Sequence, residues 1–301
     1  MKTGSKKVVI FAFLANLSIA AAKFIVSLIT HSSALLSEAI HSLADTGNQI
    51  LLLIGLKRSL KKEDKIHPFG YNREQYFWSF LVAVMLFLLG GLYSLLEGIK
   101  KLLHTHKIEE PWIAIGVLIF SFIAEGFSFL KAKKEIDKNR KDGSLLDSLK
   151  NCYNSELLVV FFEDSAAITG ITIALVSTLL YIFTKNSIFD SIGSILIGLL
   201  LIIVSIGLGA KMKSLIVGRA APSYIVKDII NILESTDGIE RVNQVKTMVL
   251  GSDSILAAIE VIFEDGLDID YIDEKIKEIE KRIKSKHSEV KNIYIEPKEK
   301  S

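Results

Sequence analysis

An α-helical membrane protein with six transmembrane helices, plus a small cytoplasmic α+β domain at its C-terminal end, is the architecture this sequence predicts, on three observations. Half of the 301 residues are hydrophobic and the mean hydropathy is +0.40, too apolar for an ordinary soluble domain. The 23% of residues that are charged are segregated, with the apolar blocks lying before about residue 218 and a Lys-, Glu- and Asp-rich amphipathic stretch after it. Short connections rich in Lys and Arg alternate with connections that have few. The expected division is a membrane domain over 1–217 and a tail domain over 218–301.

The spans come first. Crossing roughly 30 Å of hydrocarbon takes about 20 apolar residues in a helix. Runs of that kind occupy 8–30, 34–56, 77–99, 112–130, 157–183 and 188–208. The first is too long for a removable leader and has no small-residue cleavage site, so it is expected to be a true span. Orientation follows from the basic residues in the connections. The N-terminal stretch has Lys2, Lys6 and Lys7, the second connection runs from Lys57 to Arg73 with six cations, and the fourth includes Lys131, Lys133, Lys134, Lys138, Arg140, Lys141 and Lys150. The first connection has none, the third only Lys100, Lys101 and Lys107, and the fifth only Lys185. Both termini are therefore expected in the cytoplasm, with the chain in the plasma or inner membrane.

Beyond the last span the period changes. Residues 223–235 place Ile225, Ile229, Ile232 and Leu233 on one helical side, and 242–250 and 255–263 read as strands around a Gly251-Ser-Asp-Ser254 turn. Residues 269–286 form a second amphipathic helix and 290–295 a third strand closed by Pro297. The order α-β-β-α-β predicts a ferredoxin-like layer of helices on one face of a small sheet.

Polar groups inside the spans carry the functional information, because an ionisable side chain in hydrocarbon costs at least a few kcal/mol and normally faces a pathway or a partner. In the second span Glu38, His41, Asp45, Asn48 and Gln49 fall on one helical stripe. The fifth span opens with LLVVFFEDSAAITG, which contains Glu163, Asp164, Ser165 and Thr169; the first adds Asn16 and Lys23, and the fourth adds Glu125. Ser, Thr and Asn of this set suit hydrogen bonding between helices. Carboxylates and a histidine suit a cation better. His41 and Asp45 are four residues apart, one turn along one face. Two carboxylates with an imidazole form a nitrogen and oxygen donor set of the kind zinc accepts. Cys152 is the sole cysteine, so no thiolate cluster or intrachain disulfide can form.

Several classes are disfavoured. The net charge of +2 averages over topological signals and implies no nucleic-acid partner. A membrane-embedded metal-dependent hydrolase would need an acid or base and an open coordination position, often announced by HExxH, and that motif does not occur. A metal sensor would need a signalling tail, and the tail carries no catalytic or nucleic-acid motif. The chain is expected not to be an enzyme and to hold no cofactor.

The second span reading SALLSEAIHSLAD, the loop HPFGYNRE before the third span, the acidic start of the fifth span and a tail ending NIYIEP together resemble the cation diffusion facilitators over nearly the whole chain. The acidic fifth span is similar to the subgroup of mitochondrial, nuclear-coactivator-like zinc transporters. The resemblance implies a homodimer in the lipid bilayer that moves zinc, or manganese, iron or cobalt, usually against protons and by alternating access. His41 and Asp45 match one half of the family's transport site and Asp164 the aspartate of the other half. Val160 stands where the family's second histidine would be. Glu163 is the candidate replacement, although adjacent helical residues diverge by about 100°, so an unwound or rotated helix is expected if both bind one ion; otherwise Glu163 would pair with Lys23 or relay protons. His41, whose ordinary pKa is about 6.5, is an expected proton carrier. Asp64 and His67 are counterparts of a second loop site, with Tyr71 in place of another histidine. Glu260, Asp273, Tyr294 and Glu296 occupy tail positions where zinc-type members carry ligands. Arg73 matches a basic residue that pairs with an acid near the end of the sixth span, where 204–219 contains no carboxylate.

Overall fold

A computed structural model describes residues 3–103, 107–138 and 144–298, and the side chains of all of these except 3–15 and 138. The side chains of Lys2, Lys6, Lys7, Lys138, Arg140 and Lys141, used above for orientation, lie outside the described set. The membrane part is built from α1 (Thr3–Thr30), α2 (Ser33–Ser59), α3 (Glu74–Met85), a π-helical turn (Leu86–Leu92), α4 (Tyr93–Leu103), α5 (Pro111–Lys138), the short α6 (Leu145–Asn151), α7 (Ser155–Thr184) and α8 (Ile188–Val217). The tail follows as α9 (Ser223–Glu234), β1 (Ile239–Gly251), β2 (Ser254–Phe263), α10 (Ile269–Lys286) and β3 (Val290–Pro297).

Among the described residues, four helices are long and apolar enough to cross a membrane: Glu74–Leu103, which joins α3, the π turn and α4, then Pro111–Asp137, Ser155–Thr184 and Ile188–Val217. Of α1, whose described side chains begin at Asn16, the apolar piece is Asn16–Thr30. The 27-residue α2 is long enough, about 40 Å at 1.5 Å per residue, but its polar stripe breaks the apolar run. Outward faces are apolar: Phe120, Phe127 and Ile203 are exposed on α5 and α8, as lipid contact requires.

The third and sixth apolar segments meet at backbone distance. A Cβ on Gly98 would stand 2.8 Å from the Ile195 amide, and one on Gly198 2.5 Å from the Leu95 amide, so these positions exclude any larger residue. Small residues at a membrane helix interface permit this approach, which recovers dispersion contacts where no hydrophobic force acts. Ser194 joins the seam by donating to the Ser94 carbonyl at 2.8 Å. The π turn, with Gly90 against Leu201 and Gly91 against Ile202, lies in the same contact.

In the tail, β1 and β2 form an antiparallel hairpin and β3 lies parallel to β2, giving the order β1-β2-β3. Ile225, Ile229, Ile279 and Ile283 of α9 and α10 are buried with the sheet's Val249, Ile255, Ile259 and Val261. The same apolar cluster continues into Leu208, Met212 and Leu215 of α8, and the Val249 amide donates to the Arg219 carbonyl at 2.8 Å, so the tail is joined to the last membrane helix by a shared core.

Candidate metal-transport site

Two well-capped helices frame the site. Ser32 caps α2 by accepting from the Leu35 amide at 3.1 Å. Asp190, at the start of α8, braces the same end: its carboxylate accepts from the Ser32 and Ser33 hydroxyls and from the Ser33 amide at 2.5, 2.6 and 2.6 Å. A carboxylate at a helix N-terminus satisfies amides that have no intrahelical partner. Asn154 caps α7 in the same manner, accepting from the Leu157 amide at 3.0 Å.

Between α1, α2, α5 and α7 lies a cavity of about 100 Å³. Asn16 and Ile19 line it from α1, Ser42, Asp45 and Gln49 from α2, Ala124, Glu125 and Ser128 from α5, and Val160, Glu163 and Asp164 from α7. Four carboxylates thus face one small space. Glu163 is tied to α2 through the Asn48 amide group, which donates at 2.7 Å, and Asp164 to α5 through the Ser128 hydroxyl at 2.8 Å. α7 is unbroken over Ser155–Thr184, with no unwinding at Glu163 and Asp164, and the two acids lean from it to opposite neighbours. The expected pairing of Glu163 with Lys23 is corrected, since Lys23 lies 3.4 Å from Glu38.

His41 is fully buried and does not line the cavity; its Nε2 stands 3.5 Å from Asp45 Oδ2. Neither ring nitrogen has a hydrogen-bond partner among the described residues, and nor does Asp45 Oδ1. Unsatisfied buried polar atoms are rare enough to need a reason, and here they sit beside the cavity. Among the described residues no three His, Cys, Asp or Glu side chains are grouped tightly enough to hold an ion as they stand. Ser165 and Thr169 donate back to the carbonyls of Phe161 and Ser165 at 2.6 and 2.8 Å, within their own helix.

The loop candidates are adjacent but engaged. Asp64 accepts from the His67 and Ile66 amides at 2.8 and 3.0 Å, from the Tyr71 hydroxyl at 2.7 Å and from Lys61 at 3.1 Å. The Tyr71 and His67 donors hold its carboxyl well below the usual carboxylate range. An ion there would have to displace these donors. In the tail, Glu260 accepts from Asn243 at 2.9 Å, Asp273 from Lys277, and Glu296 from Lys298 at 2.6 Å, while Tyr294 is exposed. Arg73 finds its partner at the end of the sixth apolar helix after all: it donates to the Ile216 backbone carbonyl, where the negative end of the α8 dipole replaces a carboxylate.

Sequence reasoning saw Glu125 without placing it and missed Asp190. Glu125 is an acid in the apolar part of α5, and only the fold shows that it shares a cavity with Asp45 and Asp164. Asp190 meets Ser32 and Ser33 across more than 150 residues of chain, a distance that leaves no local pattern.

Comparison with known proteins agrees with this architecture. Residues 9–217 match the cation efflux transmembrane domain and 221–298 the cation efflux protein cytoplasmic domain. The chain is 32% identical over 263 residues to the mitochondrial proton-coupled zinc antiporter SLC30A9 of Homo sapiens, covering 87% of this chain and 46% of that protein. It is 30% identical over 261 residues to metal tolerance protein C4 of Arabidopsis thaliana, covering 86% and 57%. It is 22% identical to the manganese efflux system protein MneP of Bacillus subtilis, covering 97% and 95%. The chain spans about half the length of the first two relatives. Helices and tail therefore define a multi-pass helical membrane protein with a small cytoplasmic-domain-type tail. The chain belongs to the cation diffusion facilitator family.

Proposed function

We propose that the chain exports zinc from the cytoplasm in exchange for protons, by alternating access, with Asp45, Asp164, Glu163 and His41 as the ion's ligands. The observation that carries this reading is the cavity between α1, α2, α5 and α7, where Asp45, Glu163 and Asp164 face one space and Asp45 Oδ1 has no partner among the described residues. Two carboxylates neutralise a divalent ion, and His41, beside Asp45, supplies the nitrogen that suits zinc. Four carboxylates exceed the charge of one such ion, so the cavity has acids left over to carry protons when the metal leaves. The zinc-antiporter name of the human relative supports the same cargo. The chain acts as a homodimer joined through its tail, with both termini in the cytoplasm and the spans in the plasma or inner membrane.

Manganese is the second reading, favoured by one observation: the cavity lining presents oxygen donors alone, with His41 behind Asp45. The test is uptake of zinc and manganese into proteoliposomes at several imposed pH gradients. Zinc should accumulate on the acidic side, faster as the gradient steepens. A zinc rate indifferent to the gradient would refute antiport, and manganese uptake exceeding that of zinc would replace the cargo.

A further inference from the structure

Lys23, on α1, is a fully buried cation among the membrane helices, and the site described above gives it no role. Its ammonium lies 3.4 Å from Glu38 Oε2 and donates to Ser42 Oγ at 2.7 Å. The Glu38 contact is long for a charge-assisted bond, which settles at about 2.7–2.9 Å. Glu38 Oε1 has no hydrogen-bond partner among the described residues and presses on Gly170, where an added Cβ would collide with it. The carboxylate is therefore held by shape on the side of α7, and the ammonium is only loosely bound to it.

The other contact points to the cavity. Ser42 lines it three residues before Asp45, and Asn16 and Ile19 of the same helix as Lys23 line it as well, whereas Glu38 does not. Lys23 itself does not line the cavity, but its ammonium is bonded to a residue that does, while Glu38 stands against Gly170 of α7. In a medium of low polarity such a charge is felt strongly over several ångströms.

We propose that Lys23 is a tethered counter-cation of the acidic cavity, held by Ser42 and Glu38 so that its charge opposes the metal and promotes its release. This rests on the reading of the cavity as the transport site. Several carboxylates around one space attract a divalent ion strongly, and a cation that cannot leave lowers that attraction without occupying the ligands.

The test is zinc binding by calorimetry at one pH, using the full chain in lipid nanodiscs. Lys23→Met should tighten zinc binding by about tenfold, within the usual range for coupled sites. Glu38→Gln, which leaves the lysine unopposed, should weaken it by a similar factor. Should Lys23→Met fail to fold, Lys23→Met/Glu38→Gln leaves no unpaired charge and carries the same expectation of tighter binding. An ion pair that merely holds helices together predicts otherwise: unchanged affinity in the double variant, or weaker binding in all three, overturns the proposal. Asp164→Ala is the control for the site itself. Zinc affinity retained there would refute the cavity as the transport site, whatever the lysine variants do.

Discussion

Glu163 and Asp164 are neighbours in the chain and face one cavity, yet each is held by a different helix, through Asn48 and Ser128. This division lets a continuous helix present two carboxylates, because the longer glutamate side chain bends toward α2 while the aspartate turns to α5. Val160, one turn before Asp164, lines the same space with an apolar surface. An imidazole there would join the oxygen donors directly. Val160→His should raise the ratio of zinc to manganese transport severalfold, since imidazole suits zinc and carboxylate alone suits manganese; unchanged relative rates in proteoliposomes would show that position 160 does not meet the ion. At this scale His41, Asp45, Glu163 and Asp164 were legible in the sequence because charge among apolar residues stands out. The partners were not: Asn48 and Ser128 are ordinary polar residues until the helices are placed, and Arg73 acquires a backbone carbonyl where a side-chain acid was sought.

Helices and strands follow from patterns that repeat locally, so their existence could be read from apolar runs and from the change to amphipathic periods after the last span. The π turn at Leu86–Leu92 could not, because it arises where Gly90 and Gly91 let α8 approach, and the sequence of the third span shows only apolar residues there. The seam between α4 and α8 is a close contact between elements and sensitive to size. A methyl group on Gly198 would meet the Leu95 backbone at 2.5 Å, and backbone cannot rotate away as a side chain can. Gly198→Ala should therefore cost about 1–3 kcal/mol, the usual penalty for overpacking, and lower the thermal midpoint of the purified protein. Gly207→Ala, at a position of the same helix with open space around it, is the comparison and should leave the midpoint within error.

Across the whole molecule, the membrane helices create a small acidic space and the tail is fastened to the last of them through Leu208, Met212 and Leu215. The α-β-β-α-β tail was readable from its periods, while this shared core was not, since it joins residues that belong to separate patterns in the sequence. The space between α1, α2, α5 and α7 is where the metal is proposed to cross. Zinc flux into proteoliposomes under a fixed pH gradient, compared for the parent, Asp45→Ala and Asp164→Ala, tests it most directly. Each variant should fall to the rate of protein-free liposomes while its elution volume and helix content stay those of the parent. Flux at the parental rate in either variant would contradict it.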